Sequence, residues 1–182
     1  MTSAIQFKNL KSYKDANQDK FQMKIKFYST GGTIDKIYFD QKSTYQVGES
    51  RVEEILKKAN VTFDYECESI LRKDSLDLTD EDRRTLCERI RSDPHERIVI
   101  THGTDTMDKT AQELQTIRDK VIVLTGAMQP AKFRSSDAEF NVGFAVAAVQ
   151  SLPHGIYLAM NGRIFRPGKA RKNVDLNRFE AI

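Results

Sequence analysis

The chain is poor in the residues that mark special environments. Only two cysteines, Cys67 and Cys87, occur in 182 residues, and they lie in segments that read as a strand and a helix. With no metal-ligand spacing and no secretory context, they argue against a disulfide scaffold and are expected to be buried free thiols. Three histidines without carboxylate–histidine spacing argue against a metal site, so no metal and no cofactor is expected. No apolar run reaches membrane-spanning length, and the N-terminus offers no apolar core of the kind a signal peptide needs. The default expectation is therefore a soluble cytoplasmic protein. Net charge is also low, at +3. Lys8, Lys11, Lys14, Lys20, Lys24 and Lys26 against Asp15 and Asp19 put +4 in the first 26 residues, which leaves −1 for the rest. No RNA- or DNA-binding motif accompanies this basic start, so neither nucleic acid nor membrane is expected as a partner. Repeats and low-complexity segments are absent as well.

What is present is an alternating pattern. At 182 residues the chain suits one domain with a continuous core: a basic extension over 1–22, then a domain over 23–182. Residues 24–29 read as a strand, and Ser50 with Glu53 as a capping box opening a helix over 52–58. A strand follows over 61–70. Thr79, with Asp80, Glu81 and Asp82 behind it, caps a helix to Ser92, and Pro94 lies just beyond. Then come a strand over 97–101, a helix over 107–117 and a strand over 120–125. Ser136 and Glu139 frame a long helix to Leu152. A strand over 156–160 turns through Asn161-Gly162 into Arg163-Ile164-Phe165 as a hairpin. Such alternation implies an α/β fold: an open, mainly parallel sheet with helices on both faces and a C-terminal hairpin.

In such sheets ligands bind beyond the carboxyl ends of the strands. The first strand ends at Thr30-Gly31-Gly32-Thr33-Ile34. A P-loop needs Gly-Lys-Ser/Thr after its glycines, and a dinucleotide fingerprint needs a third glycine; both are missing. The motif reads either as a plain strand-to-loop turn or as a threonine hydroxyl held beside backbone N–H groups, which suits a nucleophile. The third strand ends at His102-Gly103-Thr104-Asp105-Thr106. Thr104, Asp105 or Thr106 can cap the following helix. Alternatively Thr104 presents a hydroxyl to a reacting centre while Asp105 binds a cationic group, and the two readings can coexist. His102, just after a buried strand, reads as a satisfied structural residue rather than a member of a triad. His95 and His154, beside prolines in loops, read as surface residues. Lys172, in Lys169-Ala170-Arg171-Lys172, belongs either to a solvated basic face or to a dry pocket, where a lysine moves protons.

Together these residues resemble the bacterial-type L-asparaginase family, and more narrowly its short, single-domain members. Thr-Gly-Gly-Thr-Ile at 30–34 and His-Gly-Thr-Asp-Thr-Met at 102–107 anchor the resemblance. Asp74-Ser75-Leu76-Asp77, Thr125-Gly126-Ala127-Met128-Gln129-Pro130, the helix start containing Asn141, Met160-Asn161-Gly162-Arg163 and Lys172 support it. The resemblance implies hydrolysis of L-asparagine to aspartate and ammonia, with Thr33 as nucleophile and a β-aspartyl ester as intermediate. It implies that Tyr45, or Tyr38 in a short loop, serves Thr33. Thr104 and Lys172 form a second hydroxyl–amine pair, Asp105 holds the α-ammonium and Ser75 the α-carboxylate. Asp74, Gly32 and Gly103 complete the substrate site, with backbone N–H groups around Gly32 and Thr104 facing the oxyanion. A homodimer or homotetramer is the implied assembly.

Two departures carry expectations. Larger members have a second domain that completes a neighbour's site; this chain stops at Ile182, so a weaker grip on the substrate amine and a high Michaelis constant are expected. Leu76 stands where many members place a polar residue, so glutamine is expected to be a poor substrate. The segment 35–47 has no capped helix and is expected to be a lid over the site. Two alternatives remain beside the hydrolase: a non-catalytic amino-acid-binding homologue, and an ammonia-releasing subunit of a tRNA amidotransferase.

Overall fold

The computed structural model describes residues 23–37 and 46–182. The basic extension over 1–22 and the centre of the expected lid, residues 38–45, lie outside them. In chain order the elements are β1 (Ile25–Ser29), β2 (Lys36–Ile37), β3 (Gln46–Val47), α1 (Val52–Lys58), β4 (Tyr65–Ser69), α2 (Asp80–Ser92), β5 (Arg97–Thr101), α3 (Met107–Glu113), β6 (Val121–Thr125), α4 (Ala138–Ser151), β7 (Gly155–Met160), β8 (Arg163–Phe165), β9 (Ala170–Asn173) and β10 (Arg178–Ala181). The main sheet runs β4-β1-β5-β6-β7-β8. Its pairs are parallel except the last, β7 with β8. Two small antiparallel pairs, β2 with β3 and β9 with β10, stand apart from it.

The central parallel strands are buried on both sides, and their sequences show it. Ile98-Val99-Ile100 and Val121-Ile122-Val123-Leu124 are unbroken apolar runs, as strands covered on both faces require. Because successive side chains alternate in direction, each strand feeds two cores. Ile98, Ile100, Ile122 and Leu124 pack with Leu86 and Ile90 of α2 and Met107 of α3. Val99, Val121 and Val123 pack with Ile55 of α1 and with Val142, Ala145 and Val149 of α4. Each fully buried aliphatic side chain contributes roughly 1.5–3 kcal/mol, so moving one strand by a residue would exchange the two cores at large cost.

The helix over Asp80–Ser92 begins as its sequence predicts: Thr79 accepts from the Asp82 N–H, and the Asp82 carboxylate accepts from the Thr79 N–H. The Asn161-Gly162 hairpin is also present; both residues have positive φ (52° and 73°) and join Met160 to Arg163, the geometry of a primed turn.

Other expectations are corrected. No capping box forms at Ser50 and Glu53, because the N-cap of α1 is Arg51 and makes no side-chain cap bond. The Arg51 N–H instead donates to Asp35, at 2.9 Å. The long helix starts from Asp137 rather than Ser136, and the Asp137 carboxylate accepts from Met128, Gln129 and Asn141. The helix over 107–117 ends at Glu113 and tightens into a 3-10 turn, Leu114–Thr116. The strand over 61–70 shrinks to Tyr65–Ser69. Cys67 is exposed on this edge strand, contrary to expectation, whereas Cys87 is buried in α2. His95 is half-buried against Asp93 rather than on the surface. Among the described residues no helix is long and apolar enough to cross a membrane.

The topology fixes where a site can form. From β1 the chain passes to β4 on one side, and the next strand, β5, lies on the other. The carboxyl ends of β1 and β5 therefore flank the switch point of the sheet, where its two halves diverge and leave a crevice.

Candidate functional site

Backbone stitching brings the two motif loops to this crevice. The N–H and the hydroxyl of Thr30 both donate to the Thr101 carbonyl, at 3.0 and 3.2 Å. Beyond them the chain must pass through very little space. Gly31 and Gly32 have φ of 91° and 94°, and a Cβ on Gly32 would lie 2.4 Å from Gly103 Cα. Any other residue at Gly32 would be strained in its backbone and would push the loops apart. Gly103 is constrained in turn: a Cβ there would sit 2.6 Å from Ser75 Oγ. Thr33 and Thr104 are the residues that follow these two touching glycines.

Thr33 opens a 3-10 turn over Thr33–Asp35, and Asp35 holds that turn in place. Its buried carboxylate accepts from Ser29 Oγ and from the Arg51 N–H, both at 2.9 Å. Burial pushes the Asp35 carboxyl pKa up, against the opposing pull of Arg51 and Ser29. One side chain thus ties the Thr33 turn to the end of β1 and the start of α1. The sequence reading missed Asp35; the available signal was a carboxylate directly behind an apolar residue in a glycine motif.

On the other side, Thr101, Thr104 and Ser75 each bury a hydroxyl with no hydrogen-bond partner among the described residues. A buried hydroxyl without a partner carries a desolvation cost of about 1–3 kcal/mol, and all three lie at this edge. Next to Thr104, Asp105 Oδ1 is 2.7 Å from Nζ of Lys172, which β9 carries to the crevice. Lys172 is thus ion-paired and half-buried beside Asp105.

The remaining residues have clear surroundings. Asp74 accepts from the Leu76 N–H at 3.1 Å and pairs with Lys36 at 2.6 Å. Burial alone would raise its pKa, but these two bonds and the charges of Lys36 and Lys172 bring it below the usual carboxylate value. Leu76 itself is 73% exposed. Thr106 is the N-cap of α3 but does not cap it with its hydroxyl, which donates to the Ser75 carbonyl at 2.8 Å. His102 is fully buried between Thr110 and the Gly103 carbonyl, and burial holds its pKa down to about 4, helped by the nearby Arg83 charge. It is neutral and structural, as expected. Tyr38 and Tyr45 lie outside the described residues. The structure therefore gathers Gly32, Thr33, Ser75, Gly103, Thr104, Asp105 and Lys172 at one edge, with Asp74 bordering them.

Fold and residues together define a doubly wound α/β domain with buried polar side chains gathered at its switch point. Residues 24–182 match the family model described as "Asparaginase, N-terminal", and the chain belongs to the asparaginase family. It is 34% identical over 174 residues to L-asparaginase 2 of Escherichia coli, covering 87% of this chain and 49% of that protein. Against the glutaminase-asparaginase of Acinetobacter glutaminasificans the identity is 31% over 167 residues, covering 82% and 49%. Among solved structures, the thermostable L-asparaginase of Thermococcus kodakarensis superposes with a TM-score of 0.76 at 30% identity, covering 88% of this chain and 51% of that one. A probable cytoplasmic L-asparaginase of Campylobacter jejuni gives 0.75 at 29% identity, covering 88% and 53%. The chain spans about half the length of these relatives.

Proposed function

We propose that this domain hydrolyses the side-chain amide of L-asparagine, releasing ammonia and aspartate, with Thr33 as nucleophile. The observation that carries the reading is the setting of Thr104. Its buried hydroxyl has no partner among the described residues, it adjoins the Asp105–Lys172 ion pair, and it follows the glycine that packs against the Thr33 loop.

In this reading the Thr33 oxygen attacks the amide carbon, and its proton passes to a neighbouring base. Negative charge gathers on the amide oxygen, where backbone N–H groups around Gly32 and Thr104 receive it. Thr104 relays a proton from the Lys172–Asp105 pair to the departing nitrogen, the carbon–nitrogen bond breaks and ammonia leaves. Water then opens the resulting Thr33 ester and frees aspartate. Lys172 occupies Asp105 Oδ1, which leaves Oδ2 for the substrate α-ammonium. Ser75, whose buried hydroxyl has no partner among the described residues, receives the α-carboxylate. We place the reaction in the cytoplasm and in a homodimer or homotetramer; the exposed Phe140 stacked on Phe144 gives α4 an apolar surface suited to such an assembly. With Leu76 beside Ser75 in place of a polar side chain, glutamine is a poor substrate.

Ammonia release from asparagine and glutamine across concentration, by wild type and Thr33→Ala, tests the reading. The expected result is asparagine turnover well above glutamine turnover, and a loss of at least roughly 10³-fold in Thr33→Ala with an unchanged melting temperature. Undiminished turnover in Thr33→Ala would remove Thr33 from the mechanism, and equal use of both amides would remove the selectivity.

A further inference from the structure

We propose that Arg83 is the positioning residue of this site, setting the Ser75 turn and the Gly103–Thr104 peptide through two separate hydrogen-bond branches. The inference rests on the amidase reading above and adds a residue that touches no substrate.

Arg83 lies on the inner stripe of α2, in phase with Leu86, Cys87 and Ile90, and is 2% exposed. An aliphatic residue would complete that stripe at no electrostatic cost. A buried guanidinium costs several kcal/mol unless its donors are satisfied. Here Nη1 donates to the Leu78 carbonyl (3.0 Å) and to Asp80 (3.3 Å), while Nη2 donates to Thr106 Oγ1 (3.1 Å) and Nε to Thr110 Oγ1 (3.2 Å). The last two bonds each start a branch.

In the first branch the Thr106 hydroxyl accepts from Arg83 and therefore turns its own proton to the Ser75 carbonyl, at 2.8 Å. This bond crosses from the α3 loop to the Ser75–Asp77 turn and fixes the residue proposed to hold the substrate carboxylate. In the second branch Thr110 accepts from Arg83 and donates to His102 Nε2, at 2.8 Å. With Nε2 accepting, the imidazole proton sits on Nδ1, which donates to the Gly103 carbonyl at 2.7 Å. The Gly103 carbonyl sets the tautomer, since a carbonyl only accepts, and Arg83, which only donates, leaves the Thr110 proton free for Nε2. The Gly103 carbonyl and the Thr104 N–H belong to one planar peptide, so holding the carbonyl toward His102 aims the N–H the opposite way. That N–H is one of the proposed oxyanion donors. Branch one governs grip on the substrate, and branch two governs stabilisation of developing charge.

Two near-isosteric variants separate the branches. Thr106→Val is expected to raise KM for asparagine about tenfold with kcat within about twofold of wild type. Thr110→Val is expected to lower kcat about tenfold with KM within about twofold. Arg83→Met is expected to do both. A second readout is independent of turnover: nitrogen-15 NMR of the His102 ring should show the neutral Nδ1–H form in wild type and Thr106→Val. The same spectra should show a shifted Nε2 resonance in Thr110→Val and Arg83→Met, because the bond that Nε2 accepts is lost or loosened. The proposal is overturned if the two threonine variants shift KM and kcat alike or leave both unchanged, or if the His102 ring is insensitive to Arg83→Met and Thr110→Val. Should wild type release no ammonia, the amidase reading fails by itself, and the His102 spectra then decide the wiring alone. Should Arg83→Met fail to fold, the threonine pair carries the test.

Discussion

Two buried polar clusters in this molecule follow opposite rules. One lies where α2 ends and β5 and β6 begin. There the Tyr28 hydroxyl donates to Asp93, and the His95 N–H and ring Nδ1 meet the same carboxylate at 2.7 and 2.6 Å. Lys120 closes the cluster by donating to the carbonyls of Asp93 and His95, at 2.7 and 3.1 Å. The other cluster lies at the carboxyl edge, where Ser75, Thr101 and Thr104 bury hydroxyls that find no partner among the described residues. Folding alone favours the first arrangement, because every desolvated group recovers a bond. The second is costly for folding and useful for binding, because the unused donors and acceptors belong to whatever enters the crevice. The satisfied Asp93 cluster should therefore matter to stability and the unsatisfied hydroxyls to activity.

Thr104→Val is the sharpest way to break that contrast. It should lower asparagine turnover on the order of 10³-fold, since a hydroxyl acting in proton transfer or charge stabilisation is worth this much. Stability should hold or rise, because an unsatisfied buried hydroxyl leaves with it; kinetics and urea melts on one preparation check both halves. His102 gives a pH test of the paired part of the same edge. Its folded pKa, about 4, lies below the unfolded value of roughly 6.5, so the unfolded chain binds more protons between them. Stability is thus full above pH 6.5 and falls as pH drops toward 4, by roughly 3 kcal/mol. Urea midpoints at pH 7 and 4.5 should diverge in wild type and less so in His102→Gln. Lys172→Met should lower turnover about 10²-fold and change the shape of the pH–rate profile, and an unchanged profile would count against proton handling. The smallest effect belongs to the satisfied cluster. Tyr28→Phe leaves Asp93 short of a donor and should cost about 1–3 kcal/mol in a thermal or urea melt while leaving kcat and KM as they were.

Much of this fold is legible in the sequence. Unbroken apolar runs at 98–100 and 121–124 announce strands covered on both faces, and Thr79 with Asp82 announces a capped helix, because both signals are local. Ser50 with Glu53 misled for a complementary reason. The helix starts one residue later than that pattern says, with Arg51 at its N-cap and the Arg51 N–H held by the distant Asp35. Cys67 misled because the residue type was read without the sheet order, which puts β4 at the border. Arg83 left a faint trace as a charge in the buried phase of an amphipathic stripe. Its partners, 23 and 27 residues downstream, left none.

By itself the sequence determined the alternation of strands and helices, the glycines that allow close approach and the residue types available for chemistry, since these depend on neighbours a few positions apart. Tertiary structure alone decided which of those residues meet. It placed Gly32 on Gly103, brought Lys172 to Asp105 across 67 positions and ran the Arg83 branches to Ser75 and Gly103. The physical reason is that strand order at the switch point fixes these contacts, and strand order follows from packing two cores at once rather than from any local preference of the chain.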